Sequence, residues 1–261
     1  MDLSLNGREA LICGSTQGIG LGIAQELALL GANCTLFARN EAQLKESVAG
    51  LSCREGQYHR YRVADFSVPA QVKDAITEHT RDNTVHILIN NTGGPAPGPV
   101  TDAATEAFVN AFLQHLVNNQ VLAQAVLPGM KAAGFGRIIN VISTSVRIPL
   151  KNLGVSNTIR GAVASWAKSL SNEVAHHGIT VNNILPGFIK TGRLDSLIRQ
   201  IAAGSGKEVE EVAAVMEKEV PAGRFGEIRE IAAMAAFLAT PAASYVNGTS
   251  IPVDGGRTGS I

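Results

Sequence analysis

The run Cys13-Gly14-Ser15-Thr16-Gln17-Gly18-Ile19-Gly20 places three glycines where a backbone can turn tightly, approach a pyrophosphate closely and pack a helix onto a sheet. The chemistry this allows is anion binding, because the first N–H groups of a helix lack internal partners and the helix dipole adds positive potential there. A glycine pattern alone is a weak signal. It gains weight here because an apolar run from Glu9 to Gly14 precedes it and a helical pattern from Leu21 to Ala32 follows. Arg39 fits the same ligand. It follows Ala38 at the end of the next apolar run, where an acidic residue would chelate the ribose hydroxyls of NAD. Arginine instead offers a planar, permanently charged fork for a 2′-phosphate. NADP(H) is therefore expected over NAD(H), although Gln17 brings no second cation to the loop.

These residues need a frame. Short apolar runs at 9–14, 33–38, 61–66, 85–90, 136–143, 179–185 and 250–253 read as strands, and helical periodicity fills 21–32, 42–51, 72–82, 107–130, 161–178 and 229–240. Alternation of the two implies right-handed crossovers and a doubly wound, Rossmann-type α/β fold: a parallel sheet of about seven strands with helices on both faces. One domain over 1–261 is expected. Residues 192–226 break the rhythm with two short helices, a Gly204-Ser205-Gly206 joint and Pro221, and read as a substrate lid. Gly93-Gly94-Pro95-Ala96-Pro97-Gly98-Pro99 is too rich in proline for strand or helix and follows a strand end, where loops of such sheets surround the ligand.

Composition narrows the partners. With 45% hydrophobic residues, 17% charged residues and zero formal net charge, the chain has no basic block to attract nucleic acid or an anionic membrane. No apolar stretch approaches the ~20 residues of a membrane span, and the N-terminal segment lacks the pattern of a signal peptide, so a cytoplasmic protein is expected. Cys13, Cys34 and Cys53 have no metal-ligand spacing and read as reduced thiols, so no metal is expected.

The series GSTQGIG, Ala64-Asp65-Phe66, Asn90-Asn91-Thr92-Gly93, Gly136 to Ser143, Ile179-Thr180-Val181-Asn182, Pro186 to Thr191 and Val253-Asp254-Gly255-Gly256 resembles the successive motifs of the short-chain dehydrogenase/reductase family, β-ketoacyl-carrier-protein reductases in particular. The resemblance covers essentially the whole chain in order. It implies that Asp65 contacts the adenine, Asn90 supports the cofactor pocket and Thr191 meets the nicotinamide carboxamide. Gly14 to Gly20, Phe66, Thr92, Gly93, Pro186 and Gly187 complete the implied cofactor set. It also implies a homodimer or homotetramer.

The catalytic set implied by the resemblance is only partly present. Ser143 matches the family serine, but the family interval brings Ser156 to the tyrosine position, Arg160 to the lysine position and His115 to the asparagine position. The chain's only tyrosines, Tyr58, Tyr61 and Tyr245, lie elsewhere, and Lys168 is two helical turns past Arg160. Asn118 or Asn119 is placed to share a helix face with His115. Hydride addition to a carbonyl leaves an alkoxide that needs a proton, and a serine hydroxyl is a far weaker acid than a phenol. Losing general-acid help costs about 10²–10⁴ in rate, roughly 3–5 kcal/mol of barrier. Arg160 stays charged and offers electrostatic help to an oxyanion, while His115 at an ordinary pKa would relay protons. Three functions stay open: a rewired NADP(H)-dependent oxidoreductase using Ser143, Ser156, Arg160 and His115 on a small carbonyl or hydroxyl compound; an inactive NADP(H)-binding sensor or scaffold; and lyase- or isomerase-like chemistry on an anion through Arg147, Lys151, Arg160 and Arg193.

Overall fold

The computed structural model describes residues 1–260, with Ile261 outside the described set. Seven strands, β1 (Glu9–Cys13), β2 (Asn33–Ala38), β3 (Arg60–Val63), β4 (Ile87–Asn90), β5 (Gly136–Val141), β6 (Ile179–Pro186) and β7 (Ser250–Val253), form one sheet in the order β3-β2-β1-β4-β5-β6-β7. Every pairing is parallel. Parallel pairing requires crossovers, and these put α1 (Gly18–Leu29), α2 (Glu41–Ala49) and α9 (Ile228–Ala239) on one face. On the other lie α3 (Pro69–Asp82), α5 (Asn118–Ala133) and α6 (Gly154–Val174). Within β1, Ala10 and Ile12 join the first core while Leu11 and Cys13 join the second. Burial on both faces explains why the inner strands are near-continuous in apolar residues.

Chain order reverses at β1, which has β2 on one side and β4 on the other. In an open parallel sheet the crevice opens at the carboxyl ends of the strands flanking that reversal. The glycine loop leaves β1 there, and the Gly93–Pro99 loop leaves β4 beside it.

Three boundaries differ from the sequence pattern. β3 stops at Val63, so Asp65 and Phe66 sit in the following turn. The expected helix over 107–130 is three pieces, α4 (Thr105–Phe112), a π-helical segment (Leu113–Val117) and α5. α6 starts a full two turns earlier than the apolar periodicity, at Gly154, with the uncapped Leu153 before it. Helices α7 (Gly192–Ser205) and α8 (Val209–Lys218) follow β6, and Gly206 ends α7 in the left-handed conformation at φ 67°. They share a small core of their own with Phe225. Among the described residues, no helix is long and apolar enough to cross a membrane.

Candidate active site

The glycine loop is fastened from two sides. Ser15 is fully buried and its hydroxyl oxygen accepts from Phe37 N at 3.0 Å, tying the loop to β2. Asn91 Nδ2 donates to Cys13 O at 3.3 Å and Gly14 O at 3.1 Å, tying it to β4. Gly14 has φ 58°, and a Cβ on Gly14 or Gly20 would run into Asn91 O or Gly14 O respectively. Glycine is therefore required for closeness as well as for conformation. Gln17, the N-cap of α1, makes no side-chain cap, so the first N–H groups of α1 are left for a ligand. Ser15, in the expected cofactor set, is fully buried, and its hydroxyl oxygen is used to hold the loop on β2.

Arg39 is exposed at the end of β2 and, among the described residues, in no ion pair. Asn40 beside it caps α2 by accepting from Gln43 N at 3.1 Å. Asp65 accepts from Ser67 N at 2.8 Å and Ser67 Oγ at 2.7 Å, and these bonds, with Arg39 as a weaker influence, hold its carboxyl below the usual range. Phe66 packs edge-on against Phe37 with ring centres 5.2 Å apart. The loop, the free helix end and Arg39 together fit a phosphorylated dinucleotide.

Below the crevice the sheet carries a ladder absent from the sequence reading. Asn90 donates to Asn140 at 2.8 Å, Asn140 to Asn183 at 2.8 Å and Asn183 to Ser250 Oγ at 3.0 Å, each between register partners of β4 to β7. Asn90 Oδ1 is buried without a partner at the head of this ladder.

Beyond β5, Ser143 caps a short 3₁₀ turn, its oxygen accepting from Ser145 N at 3.1 Å. That leaves its own O–H free to donate. α6 packs against this turn. Ser156 and Arg160, one turn apart on α6, are both only 8% exposed, and Arg160 Nη1 donates to Val141 O at 3.2 Å. The face that bears them is thus docked on the strand end leading to Ser143. Arg160 remains cationic at neutral pH, although burial first, and then Arg193, push its pKa down to about 10. Arg193, on α7, donates to Gly94 O at 3.1 Å and Pro95 O at 3.3 Å, strapping that helix to the Pro-Gly loop. Thr191 caps α7, its oxygen accepting from Leu194 N at 3.4 Å while it donates to Ile189 O at 3.2 Å. Past Ser143 a cavity of about 180 Å³ is lined by Thr144, Ile148, Leu150, Glu219, Arg257 and Thr258. Arg257 pairs with Glu219 at 3.0 Å and lies 3.9 Å from the centre of the Phe188 ring. Arg147 and Lys151 are exposed.

A family model described as enoyl-(acyl carrier protein) reductase matches residues 14–258. The chain belongs to the short-chain dehydrogenase/reductase family. A tropinone reductase homolog of Arabidopsis thaliana, described as chloroplastic, is 35% identical to this short-chain dehydrogenase/reductase over 259 residues, covering 98% of this chain and 77% of that protein. L-Sorbose reductase from Gluconobacter frateurii, solved with NADPH and L-sorbose, superposes with a TM-score of 0.93 at 31% identity, over 100% of both chains. A variant of actinorhodin polyketide ketoreductase, solved with NADPH, superposes at 0.89 with 29% identity, over 97% of this chain and 98% of that one.

In this short-chain dehydrogenase/reductase the expected proton relay through His115 is corrected. His115 is 2% exposed, its Nδ1 lies 2.7 Å from Thr92 Oγ1, and Nε2 is buried without a protein partner. Burial, then the charges of Arg160 and Arg193, push its pKa down to about 3, so at neutral pH it is a neutral, hydrogen-bonded ring. Asn118, placed with Asn119 to share a face with His115, donates its Nδ2 to Phe66 O at 2.7 Å and Gln114 O at 3.2 Å, and its Oδ1 is buried without a partner. His79, pushed down to about 4 mainly by burial, behaves in the same way. Both rings are neutral when folded and accept protons more readily when unfolded. Stability is therefore complete above pH ~6.5 and falls as pH drops toward 4, by up to about 1.4 kcal/mol per pH unit for each ring. Melting curves from pH 7.5 to 4.5 should show this decline, and His115→Asn should flatten part of it. An unchanged slope would contradict the buried-neutral assignment.

Proposed function

We propose that this chain is an NADP(H)-dependent oxidoreductase acting on a carbonyl or hydroxyl compound, 3-oxoacyl compounds among the candidates, with Ser143, Ser156 and Arg160 in place of the family's tyrosine-lysine site. The observation that carries this reading is the docking of Arg160 on Val141 O, which sets the buried Ser156/Arg160 face of α6 beside the strand end leading to Ser143. The NADPH complexes of the sorbose reductase and the ketoreductase support the cofactor assignment, as does the unpaired Arg39.

The cofactor, when bound, supplies or takes up hydride. The glycine loop and the uncapped start of α1 hold its pyrophosphate, and Arg39 takes the 2′-phosphate. Ser143 donates its free O–H toward the oxygen that gains charge. Arg160 stabilises that charge electrostatically without giving up a proton. The proton itself comes from water relayed through the serine hydroxyls, since His115 is neutral and sealed. α7 and α8 form a lid whose closed position Arg193 holds.

The exposed apolar Val109, Phe112 and Leu113 support assembly into a homodimer or homotetramer, and the free thiols of Cys13, Cys34 and Cys53 suit a reducing, cytoplasmic setting. One observation favours the second reading, an inactive NADP(H)-binding sensor: none of Ser143, Ser156, Arg160 and His115 is matched to general-acid work near neutrality.

Calorimetry with NADPH and NADH, followed by NADPH oxidation across ketones and 3-oxoacyl thioesters, separates the two. Turnover above a Ser143→Ala/Arg160→Ala blank is expected, and Arg39→Ala should cut the preference for NADPH over NADH by about 10–100-fold. Tight binding with no oxidation across the panel would favour the sensor.

A further inference from the structure

Two guanidinium groups serve the substrate side of the crevice from different elements, Arg160 on α6 docked on Val141 O and Arg193 on α7 docked on Gly94 O and Pro95 O. Among the described residues, neither Arg160 nor Arg193 belongs to an ion pair. The charge of Arg193 reaches Arg160, and both reach His115, which is neutral and offers no compensation.

Arg137 supplies an internal comparison. It is equally deprived of a carboxylate and is 2% exposed, yet its guanidinium donates to Thr240 O, Gly136 O and Gly178 O and stacks 4.1 Å from the centre of the Phe135 ring. That is a finished structural environment. Among the described residues, Arg160 has only the bond to Val141 O, and its remaining N–H groups have no protein partner without being sealed from solvent. A buried cation left in this state is costly unless something else supplies the counter-charge. The cofactor's phosphates are assigned to the far end of the crevice, at α1 and Arg39, so they do not supply it.

We infer that the substrate is itself an anion, carrying a carboxylate close to the carbon that exchanges hydride, and that Arg160, assisted by Arg193, holds this group. The inference rests on the oxidoreductase reading and names the substrate class for it. A planar guanidinium has enough donors to hold a carboxylate and the neighbouring carbonyl oxygen together, which suits short oxo acids and their hydroxy counterparts. Arg193 links recognition to the lid, because the helix bearing it is strapped to the Gly93–Pro99 loop. Neutral sugars and ketones, which carry no counter-charge, would leave Arg160 uncompensated.

The test is calorimetric titration of the NADP⁺-loaded protein with matched pairs: pyruvate and pyruvamide, acetoacetate and acetoacetamide, 4-methyl-2-oxovalerate and its amide. Carboxylates should bind about tenfold or more tightly than their amides, the range of one well-placed charge-assisted contact. Arg160→Gln should erase the preference, and Arg193→Gln, a substitution on the exposed start of α7, should weaken it. Circular dichroism and melting establish that both variants are folded. Equal affinity within every pair, absence of any carboxylate binding, or a preference that survives the double variant would overturn the inference. Failure of the oxidoreductase reading is distinguishable: it shows as absent hydride transfer, measured separately, whatever the binding preference.

Discussion

Arg160→Ala is expected to lower kcat/KM by about 10²–10³-fold while leaving the melting temperature within a few degrees of the parent. Both halves come from one environment. Among the described residues the guanidinium has a single protein bond, to Val141 O, and no carboxylate, so the folded protein gains little from it. Truncation gives up that bond, worth about 1 kcal/mol, and relieves the cost of holding a cation at 8% exposure. Reaction loses far more, because a fixed charge in a water-poor site acts on the oxygen as it becomes negative. Arg160→Lys restores charge without the planar fork and should recover only part of the loss. Steady-state kinetics alongside scanning calorimetry decide the matter. A large drop in melting temperature would make Arg160 a structural residue, and unchanged kinetics would remove it from the site.

Gly20→Ala should weaken NADPH binding by about 100-fold or more, close to 2.7 kcal/mol. The new methyl would run into Gly14 O and lie 2.7 Å from Asn91 Nδ2, the group that fixes the loop. Neither neighbour gives way cheaply, since Gly14 O belongs to backbone and Asn91 is held by two carbonyls. The loop must open, and the N–H groups of α1 lose their alignment on the phosphates. Overpacking of this kind also costs about 1–3 kcal/mol of stability. Gly161→Ala is the matched control: nothing lies within 4 Å of its would-be methyl, it sits inside α6, and alanine there should be neutral or stabilising by up to about 1 kcal/mol. Equal affinities for Gly20→Ala and parent would show that the loop does not cradle phosphate.

The sheet was legible because its strands are buried on both faces and read as apolar runs whatever their partners. Arg39 and the glycine loop were legible for a related reason: their roles depend on position relative to a strand end. What escaped depends on contacts between distant segments. The Asn90–Asn140–Asn183–Ser250 ladder exists only once four strands are in register. Asn91 appeared as part of a motif, but its grip on Cys13 O and Gly14 O follows from the juxtaposition of β1 and β4. The charge state of His115 depends first on its burial and then on Arg160 and Arg193, all set by elements distant in the chain, and its own position in a helix does not reveal it. The stretch Gly154 to Arg160 lacks an amphipathic rhythm and Leu153 gives no capping signal, so only the resemblance, which puts Ser156 and Arg160 at the tyrosine and lysine positions, places it on the helix that α6 forms. Ser15 was legible as part of the glycine loop, but its bond to Phe37 N follows from the pairing of β1 with β2.

The π-helical segment Leu113–Val117 has a consequence for how this chain is aligned with its relatives. A π turn accommodates one more residue than an α turn, which makes the segment equivalent to a one-residue insertion. Deleting a residue there would restore α geometry and rotate α4 by about 100° relative to α5. Ala111 would swing off Val155 and Ile159, its partners on α6, and the apolar face now bearing Val109 and Phe112 would turn with it. Counting intervals along the chain therefore matches His115 to the family asparagine only in relatives that carry the same extra residue. In the rest, the true counterpart is shifted by one position and must be found by superposition.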